Sequence, residues 1–368
     1  PDGVGVGGHV GHQVLAHDPR LGRRNAQREC HTARLAPGSA GRLGRTSLAH
    51  MLTRDDLAEA TSIVAEHVPV TPAYRWPLLE QVTGTPTWVK HEDATPTGAF
   101  KVRGGLVFVR RLLDSGRPVP GLIAATRGNH GQSVAYAGRE YGLPVTIVVP
   151  EGNSPDKNAS MAGFGARLIV HGRDFQESLE EALRLAEVEG LVPVPPFHPD
   201  LIAGVATGAA ELHAQAGRLD VVYVPVGQGS GICAHLGVRD LLGVATEVVG
   251  VVADRAPAHA LSFEAGRPIS TPDADTFVDG VATRTPIPEA VEAMVAGAAR
   301  FVRVSEGAAE QAMGVLWRTT HHMPEPAGAL ALAGLLADTR RAPDAVAAVV
   351  MTGGNCDADL VRRVVGLG

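Results

Sequence analysis

The sequence contains very little lysine. Its 33 lysines and arginines include only Lys90, Lys101 and Lys157, so the other thirty are arginines. Arginine can replace lysine as a surface cation, but not where an amine must lose its proton and attack a carbonyl, because the guanidinium stays protonated. Each remaining lysine is therefore a candidate for a chemical role.

Cysteine, long apolar runs and basic stretches are also scarce. Cys30, Cys233 and Cys356 lie far apart and form no C-x-x-C pair, which predicts no disulfide framework and favours a reducing, cytoplasmic compartment. No apolar run is long enough to cross a membrane. The net charge is -6; residues 1–50 hold seven arginines and three acids, +4, so the remainder carries -10. An acidic body without a basic stripe argues against a nucleic-acid partner.

The first fifty residues differ from the rest of the chain. They are rich in glycine, arginine and histidine, show no sustained apolar period and lack the apolar core of a secretory signal. We expect residues 1–50 to be disordered or a non-native extension; a mitochondrial-type presequence is the alternative, which the glycines disfavour. The folded protein is expected to start near Met51, with Thr53 capping a helix.

Short, β-branched apolar runs alternate with helical stretches from residue 121 onward. The predicted strands are 122–126, 145–149, 167–170, 221–226, 247–253 and 346–352, and the clearest predicted helices are 132–141, 175–189, 232–242, 289–299 and 328–338. Continuously apolar strands are typical of parallel sheets buried on both faces. The pattern therefore predicts an α/β fold with a doubly wound sheet, and the proline-rich "VPVPPFHPD" marks a candidate domain crossing.

The block "KHEDATPTGAFKVRGG" contains Lys101 after a turn of small residues and beside Phe100. A lysine that is partly desolvated at the start of a helix has a lowered pKa, because burial and the positive helix end both disfavour its charge. Such an amine is a good nucleophile and base. The alternative is an ordinary surface lysine on a helix.

Two further blocks place a turn between a strand and a helix. "TRGNHGQS" offers helix N-terminal N–H groups, with Asn129 and His130 as side-chain donors, to a carboxylate or phosphate, unless it is a simple solvated turn. "VPVGQGSGICA" describes a phosphate cradle. Gly229, Gly231 and Ala234 also fit G-x-G-x-x-A, so a nicotinamide dinucleotide site and an NAD(P)-dependent dehydrogenase remain the alternative.

Taken together, these blocks resemble the fold type II pyridoxal-phosphate enzymes, in particular the serine/threonine dehydratase and serine racemase group. "TGAFKVRGG", "RGNHGQ", "GQGSG", "EPAGALALAG" and "TGGN" match that family's segments in order, from about residue 51 to the C-terminus. The resemblance implies a two-domain, tryptophan synthase β-like fold with mainly parallel sheets. It predicts a large cofactor domain over residues 51–118 and 199–368, a small substrate-loop domain over 119–198, and a homodimer.

The resemblance also implies a cofactor, pyridoxal 5′-phosphate, and a role for each matching residue. Lys101 would hold the cofactor as a Schiff base and then act as the base at the substrate Cα. The other cofactor-binding residues would be Phe100 on the ring, Asn129 at its hydroxyl, Thr352 at its nitrogen, and Gly227, Gln228, Gly229, Ser230 and Gly231 around the phosphate. The substrate carboxylate would lie along Thr126, Arg127, Gly128 and His130.

The implied reaction is β-elimination from L-threonine or L-serine, which gives a 2-oxo acid and ammonia. A hydroxyl at the ring nitrogen does not favour its protonation as a carboxylate would, and this favours loss of a β-leaving group over a long-lived carbanion. The alternatives within the family are 3-hydroxyaspartate dehydratase and serine racemase.

The sequence departs from the family pattern at Arg127, which stands where racemase-type motifs have a serine. Arginine is a poor proton donor, which disfavours racemisation; it either binds an acidic substrate or points to solvent. No metal ligand is assigned, and divalent-cation binding is left open: "VVADRAPAH" does not clearly reproduce the family's acidic cation site, and His321 and His322 without a third ligand are expected in a loop.

Overall fold

The computed structural model describes residues 51–366, which fall within one compact unit of the chain. The predicted N-terminal extension, residues 1–50, lies outside the described residues. The first helix, α1 (Arg54–Ala65), begins where the sequence predicts. The Thr53 hydroxyl accepts a hydrogen bond from the Asp56 N–H, and the Asp56 carboxylate accepts one from the Thr53 N–H, a reciprocal capping box.

Ten strands and thirteen α-helices are present in residues 51–366. The strands are β1 (Ala73–Arg75), β2 (Thr87–His91), β3 (Leu122–Ala125), β4 (Val145–Val149), β5 (Arg167–Val170), β6 (Val192–Pro193), β7 (Val221–Pro225), β8 (Glu247–Ala253), β9 (Arg300–Val304) and β10 (Ala347–Met351). The helices after α1 are α2 (Pro77–Thr83), α3 (Lys101–Asp114), α4 (Asn129–Glu140), α5 (Pro155–Gly163), α6 (Phe175–Glu189), α7 (Pro199–Ala216), α8 (Ser230–Leu242), α9 (Ala258–Ala265), α10 (Pro288–Gly297), α11 (Glu306–Thr320), α12 (Pro326–Ala337) and α13 (Ala358–Val365). None of them, over the described range, is both long and apolar enough to cross a bilayer.

The strands form two sheets. One has six strands in the order β1-β2-β10-β7-β8-β9, in which β1 is antiparallel to β2 and the other pairs are parallel. The other has four parallel strands in the order β5-β4-β3-β6. Every residue of β4, β7 and β10 is buried, as expected of strands covered on both faces. The predicted α/β class with mainly parallel sheets is confirmed.

The four-stranded sheet is built from one continuous stretch, residues 122–193, and the six-stranded sheet from the chain on either side of it. The chain enters the smaller sheet after α3 and leaves it before α7. The division into domains at 118/119 and 198/199 stays a prediction.

The six apolar runs all form strands, whose ends lie within one residue of the prediction. β9 was missed because its sequence, RFVRV, interrupts the apolar run with two arginines. The start of α4 was placed three residues too late, because Asn129 and His130 were assigned to the turn.

Helix α3 is fixed by a buried ionic network. Arg103 is fully buried, and its guanidinium donates to the carboxylates of Glu92 (Nε–Oε2 2.8 Å) and Glu211 (NH1–Oε1 2.7 Å). Lys90, also buried, donates to the same Glu211 at 2.7 Å. Buried charges are tolerated when they are paired and hydrogen-bonded in this way. The network holds the first turn of α3, and therefore Lys101, in place.

Candidate active site

All of the predicted site residues line one cleft. It is formed by the loops at the carboxyl ends of β3, β7 and β10, where parallel α/β sheets bind ligands, and it encloses about 1000 Å³ of empty space, part of it open to solvent. Its walls include Phe100, Lys101, Thr126, Arg127, Gly128, Asn129, His130, Gly227, Gln228, Gly229, Ser230, Gly231 and Thr352. They also include Lys157, Asp279 and Glu325, to which the sequence had given no site role.

Lys101 is the first residue of α3 and extends its amine into the cleft. Its Nζ lies 5.0 Å from the centre of the Phe100 ring. Desolvation lowers the pKa of Lys101 to about 8, although the nearby Glu325 carboxylate acts in the opposite direction. A substantial fraction of this amine is therefore neutral near physiological pH, as a nucleophile or base requires.

The glycine loop after β7 leads into an uncapped helix. Gly229 precedes α8 with a left-handed φ of 106°, and no side chain accepts from the N–H groups of the first turn. A Cβ on Gly229 would lie 2.8 Å from Ala290 Cβ and 2.8 Å from Met294 Cε, and one on Gly227 would lie 2.5 Å from the Gly280 carbonyl oxygen. The glycines therefore allow a tight bend whose free N–H groups suit an anion.

Asn129, at the start of α4, joins three separate parts of the sequence. Its Nδ2 donates to Glu325 Oε1 at 2.5 Å, and its Oδ1 accepts from Asn355 Nδ2 at 2.8 Å. Asn355 also donates to the Thr97 carbonyl at 2.9 Å. Nδ2 carries a second hydrogen, so Asn129 can still donate into the cleft while its orientation is fixed.

His130 is buried and neutral. Burial and the positive charge of Lys101 lower its pKa to about 4. Its Nε2 lies 3.2 Å from the Val194 carbonyl oxygen, which can only accept, so the ring proton is on Nε2. His130 therefore adds no charge to the substrate side of the cleft.

Lys157 and Glu325 form the charged wall of the cleft. Lys157 on α5 donates to Asp279, and its Nζ is 3.7 Å from Glu325 Oε2. Glu325 is 1 % exposed, and Oε2 has no hydrogen-bond donor among the described residues. Burial raises the pKa of Glu325 to about 7, against the opposing effect of the Lys157 charge. The charges of Lys157 and Asp279 therefore act on Glu325 in opposite directions.

Arg127 has no salt bridge or hydrogen bond to any residue in 51–366, although it lies between the cleft and a wider outer cavity lined by Phe175 and Gln228. An unpaired guanidinium on the wall of a binding cleft is free to take an anionic group from a ligand.

Sequence reasoning missed Lys157, Asp279, Glu325 and Asn355 as site residues. The scarcity of lysine pointed to Lys157, and "EPAGALALAG" and "TGGN" contain Glu325 and Asn355, but only the folded chain brings them to Asn129. None of the three lysines is a free surface cation: Lys90 and Lys157 are buried in ion pairs and Lys101 lines the cleft.

Comparison with known proteins identifies the family. The model of the family described as "Pyridoxal-phosphate dependent enzyme" matches residues 64–353. The L-threonine ammonia-lyase of Thermotoga maritima is 32% identical over 320 residues, which is 86% of this chain and 79% of that protein. The L-threo-3-hydroxyaspartate ammonia-lyase of Saccharomyces cerevisiae is 30% identical over 307 residues, 83% of this chain and 94% of that protein.

A solved structure agrees with these matches. The threonine deaminase from T.th. superposes with a TM-score of 0.78 at 32% identity, covering 83% of this chain and 99% of that one. The chain spans about half the length of the biosynthetic threonine dehydratases that it also matches. These similarities favour the phosphate-cradle interpretation of the glycine loop over the dinucleotide one.

Proposed function

The chain belongs to the family of pyridoxal-phosphate dependent enzymes, and within it we propose that this protein is an L-threonine/L-serine ammonia-lyase, which eliminates the β-hydroxyl of its substrate and releases a 2-oxo acid and ammonia. One observation carries the proposal. The Lys101 amine, the glycine bend before α8 and the Asn129–His130 turn line the same cleft. The similarity to named threonine ammonia-lyases supports the choice of substrate.

The cleft residues fit pyridoxal 5′-phosphate. Lys101 is the amine that would hold its aldehyde carbon, and Phe100 offers an aromatic face beside it. The free N–H groups at the start of α8 suit its phosphate, and the second Asn129 Nδ2 hydrogen suits its ring hydroxyl. When bound, the cofactor supplies the electron sink that weakens the bonds at the substrate Cα.

The protein side of the reaction begins with the substrate carboxylate. The start of α4 would bind it through the backbone N–H groups of Asn129 and His130, and because the His130 ring is neutral, the positive helix end supplies the attraction. This contact fixes the Cα–H bond relative to the amine at the start of α3. A fixed approach of this kind supplies much of the rate acceleration in enzymes.

Proton transfer is assigned to Lys101 Nζ. The desolvated amine, with a pKa of about 8, takes the Cα proton. The protonated amine then gives a proton to the β-hydroxyl, which departs as water, and the released enamine hydrolyses to the 2-oxo acid and ammonia. Thr352, directly after β10, lines the cleft with a hydroxyl rather than a carboxylate, which favours loss of the β-leaving group over a long-lived carbanion.

A second candidate substrate is 3-hydroxyaspartate. Arg127 is unpaired within the described residues and lies on the cleft wall, and a carboxylate on the substrate side chain would supply the missing partner. A relative from yeast bears the name of that activity.

The test of the proposed function uses the purified, cofactor-loaded protein. Borohydride treatment is expected to fix the cofactor covalently to the wild-type chain, and 2-oxo acid and ammonia are expected from threonine and serine. Lys101→Ala should lose both properties. Arg110→Ala, an exposed change on the same helix, is the matched control and should keep both. A loaded enzyme that releases no 2-oxo acid from any hydroxyamino acid refutes the lyase assignment.

The choice between substrates is tested at Arg127. If 3-hydroxyaspartate is the substrate, Arg127→Gln should reduce kcat/KM for it by about 10- to 100-fold, the value of one charge-assisted hydrogen bond, and leave threonine unaffected. Equal effects on both substrates would remove the argument for an acidic substrate.

The proposal includes a cytoplasmic homodimer with a small domain over residues 119–198. The all-parallel four-stranded sheet has its own apolar cluster, including Ile123, Val148 and Leu185, which supports the domain division. Light scattering of the eluted protein measures the mass of the assembly and tests the dimer.

A further inference from the structure

Two histidines and an aspartate lie together behind the cleft, at the carboxyl end of β2. His91 Nδ1 is 3.4 Å from Asp93 Oδ1, and His322 Nδ1 is 3.0 Å from Asp93 Oδ2. The candidate ligand atoms of the three side chains all lie within 4.8 Å of one another. His322 follows α11 and is far along the chain from His91 and Asp93. In the sequence, the His321–His322 pair therefore had no neighbouring third ligand, and only the fold brings His91 and Asp93 to it.

The His91–Asp93 ion pair is long, and it leaves two polar atoms without a well-formed hydrogen bond. His91 is fully buried, and neither its Nδ1 nor Asp93 Oδ1 makes a hydrogen bond to the described residues. Such a long contact satisfies these polar atoms less well than a hydrogen bond, and an ion bound between them would satisfy both. Ligand atoms about 2.0–2.1 Å from a tetrahedral Zn²⁺ ion are about 3.3–3.4 Å apart, which is the separation of these two atoms.

From this geometry we propose that His91, Asp93 and His322 form a binding site for a divalent transition-metal ion of the Zn²⁺ class. Two imidazoles and one carboxylate are a suitable donor set for such an ion, with water completing the coordination. His322 is about one-third exposed and gives an ion access from solvent. The sequence left metal binding open and assigned no ligand; the fold supplies this specific candidate.

The site lies directly behind residues of the cleft. A Cβ on Gly354, two residues after Thr352, would be 3.4 Å from Asp93 Cβ. His322 is three residues before Glu325, and the N–H of Glu92 donates to the Met351 carbonyl at 3.0 Å. A bound ion would connect the end of β2 to the loops that carry Thr352 and Glu325. We therefore assign the ion a structural role.

Trp76 provides a spectroscopic signature. Its indole N–H donates to His91 Nε2 at 3.2 Å, so the proton of the neutral ring is on Nδ1. An ion at Nδ1 takes the place of that proton, which must move to Nε2, and the Trp76 N–H then loses its acceptor. Zn²⁺ binding should therefore change tryptophan fluorescence.

The experiment titrates chelator-treated holoenzyme with ZnCl₂ and measures bound zinc, fluorescence and Tm. Wild type should bind one ion more per chain than His322→Asn, and Tm should rise by about 4 °C at a hundredfold excess over Kd. Asp93→Asn should behave like His322→Asn. The matched control is His321→Asn, because His321 has a left-handed φ of 58°, which asparagine tolerates, and lies outside the cluster.

A further variant separates the site from zinc bound elsewhere. Trp76→Phe removes the competing donor, so it should lose the fluorescence change and bind zinc at least as tightly as wild type. Residues 1–50 contain His and Cys residues that could also take up zinc, but that zinc would be equal in His322→Asn and wild type. Equal stoichiometry and equal Tm shifts in those two proteins would overturn the proposal, whatever the activity of the loaded enzyme.

Discussion

At the residue scale, the cleft depends on two groups whose ionisation is shifted away from the charged form. Lys101 loses its proton more readily than a free lysine, with a pKa of about 8, and Glu325 holds its proton more tightly than a free glutamate, with a pKa of about 7. Desolvation is the leading cause in both cases, because it disfavours charge of either sign. The protein thus reduces charge at the centre of the cleft while keeping both groups in it.

The amine of Lys101 should control how fast the cofactor-free protein takes up pyridoxal phosphate. Only the neutral amine attacks the aldehyde, so the rate should rise with pH, with a midpoint of about 8 set by the pKa of Lys101, and then level off. Stopped-flow absorbance from pH 6 to 10 measures it. A rate that continues to rise toward the pKa of 10.5 of an ordinary lysine would show that Lys101 is not desolvated.

Glu325 should make folding stability depend on pH. Its folded pKa, about 7, is above the ordinary glutamate value of 4.5, so between these values the native state binds more protons than the unfolded state. The stabilisation of the native state by Glu325 is therefore fully present below pH 4.5, and it is lost as the pH rises from 4.5 through about 7. Glu325→Gln keeps the acceptor for Asn129 and should flatten the pH dependence, measured by urea denaturation at pH 5 and 8.

The control for this measurement is Glu289→Gln, which removes an exposed carboxylate on α10. It should leave the pH dependence of the wild type in place. The same pH slope in Glu325→Gln and wild type would mean that Glu325 is ionised in the native state.

At the scale of elements, the site is a set of helix starts at strand ends. α3, α4 and α8 each begin at the cleft, with Lys101, Asn129 and Ser230 as their first residues, and none of the three has a side-chain cap. The Gly131 N–H of α4 donates to Thr126 Oγ1 and the Arg103 N–H of α3 to the Phe100 carbonyl, and the other N–H groups of these first turns are available to anions. A helix start elsewhere in the same chain, that of α1, is fully capped by its own side chains.

Gly229→Ala should damage the start of α8. The substitution places a Cβ in a left-handed conformation and 2.8 Å from both Ala290 and Met294. We expect cofactor affinity to fall at least about tenfold, equivalent to about 1.4 kcal/mol. Gly243→Ala, at the other end of α8, has a similar left-handed strain but open space around it, and should cost stability alone. Equal cofactor affinities, measured by fluorescence titration, would contradict this role.

At the scale of the whole molecule, ionic contacts connect the two sheets across the cleft. Lys157 on α5 pairs with Asp279 and lies 3.7 Å from Glu325, and Ser154, which caps α5, donates to Asp357 near the C-terminus. These contacts join the stretch that forms the four-stranded sheet to residues that follow it in the chain. They therefore fix the width of the cleft as well as its charge.

Lys157→Met should destabilise the protein by about 3 kcal/mol, because it leaves the buried Glu325 and the partly exposed Asp279 without a cation. Arg184→Met breaks an exposed pair on α6 and should cost at most about 1 kcal/mol. Asp279→Asn in the Lys157→Met background should cost less than Asp279→Asn alone, since the two side chains share one interaction. Urea denaturation of these proteins measures this; additive costs would mean that the pair contributes nothing.

The sequence by itself determined the fold class and the chemistry of the cleft. Continuous apolar runs such as "AAVVM" specify buried parallel strands, because only residues without polar side chains can be covered on both faces at little cost. Lys101 and the two turn motifs were legible because each is a short, local pattern next to a strand or helix. A local pattern can be recognised in the sequence alone, because it does not depend on contacts between distant residues.

Only the tertiary structure decided what surrounds those motifs. Glu325 and Asn355 meet Asn129 from positions about two hundred residues away, and His322 meets His91 and Asp93 across a similar span. The pKa shifts of Lys101 and Glu325 likewise depend on burial among residues distant in the chain. Such contacts follow from the order and register of the strands, and no local pattern of residues contains that information.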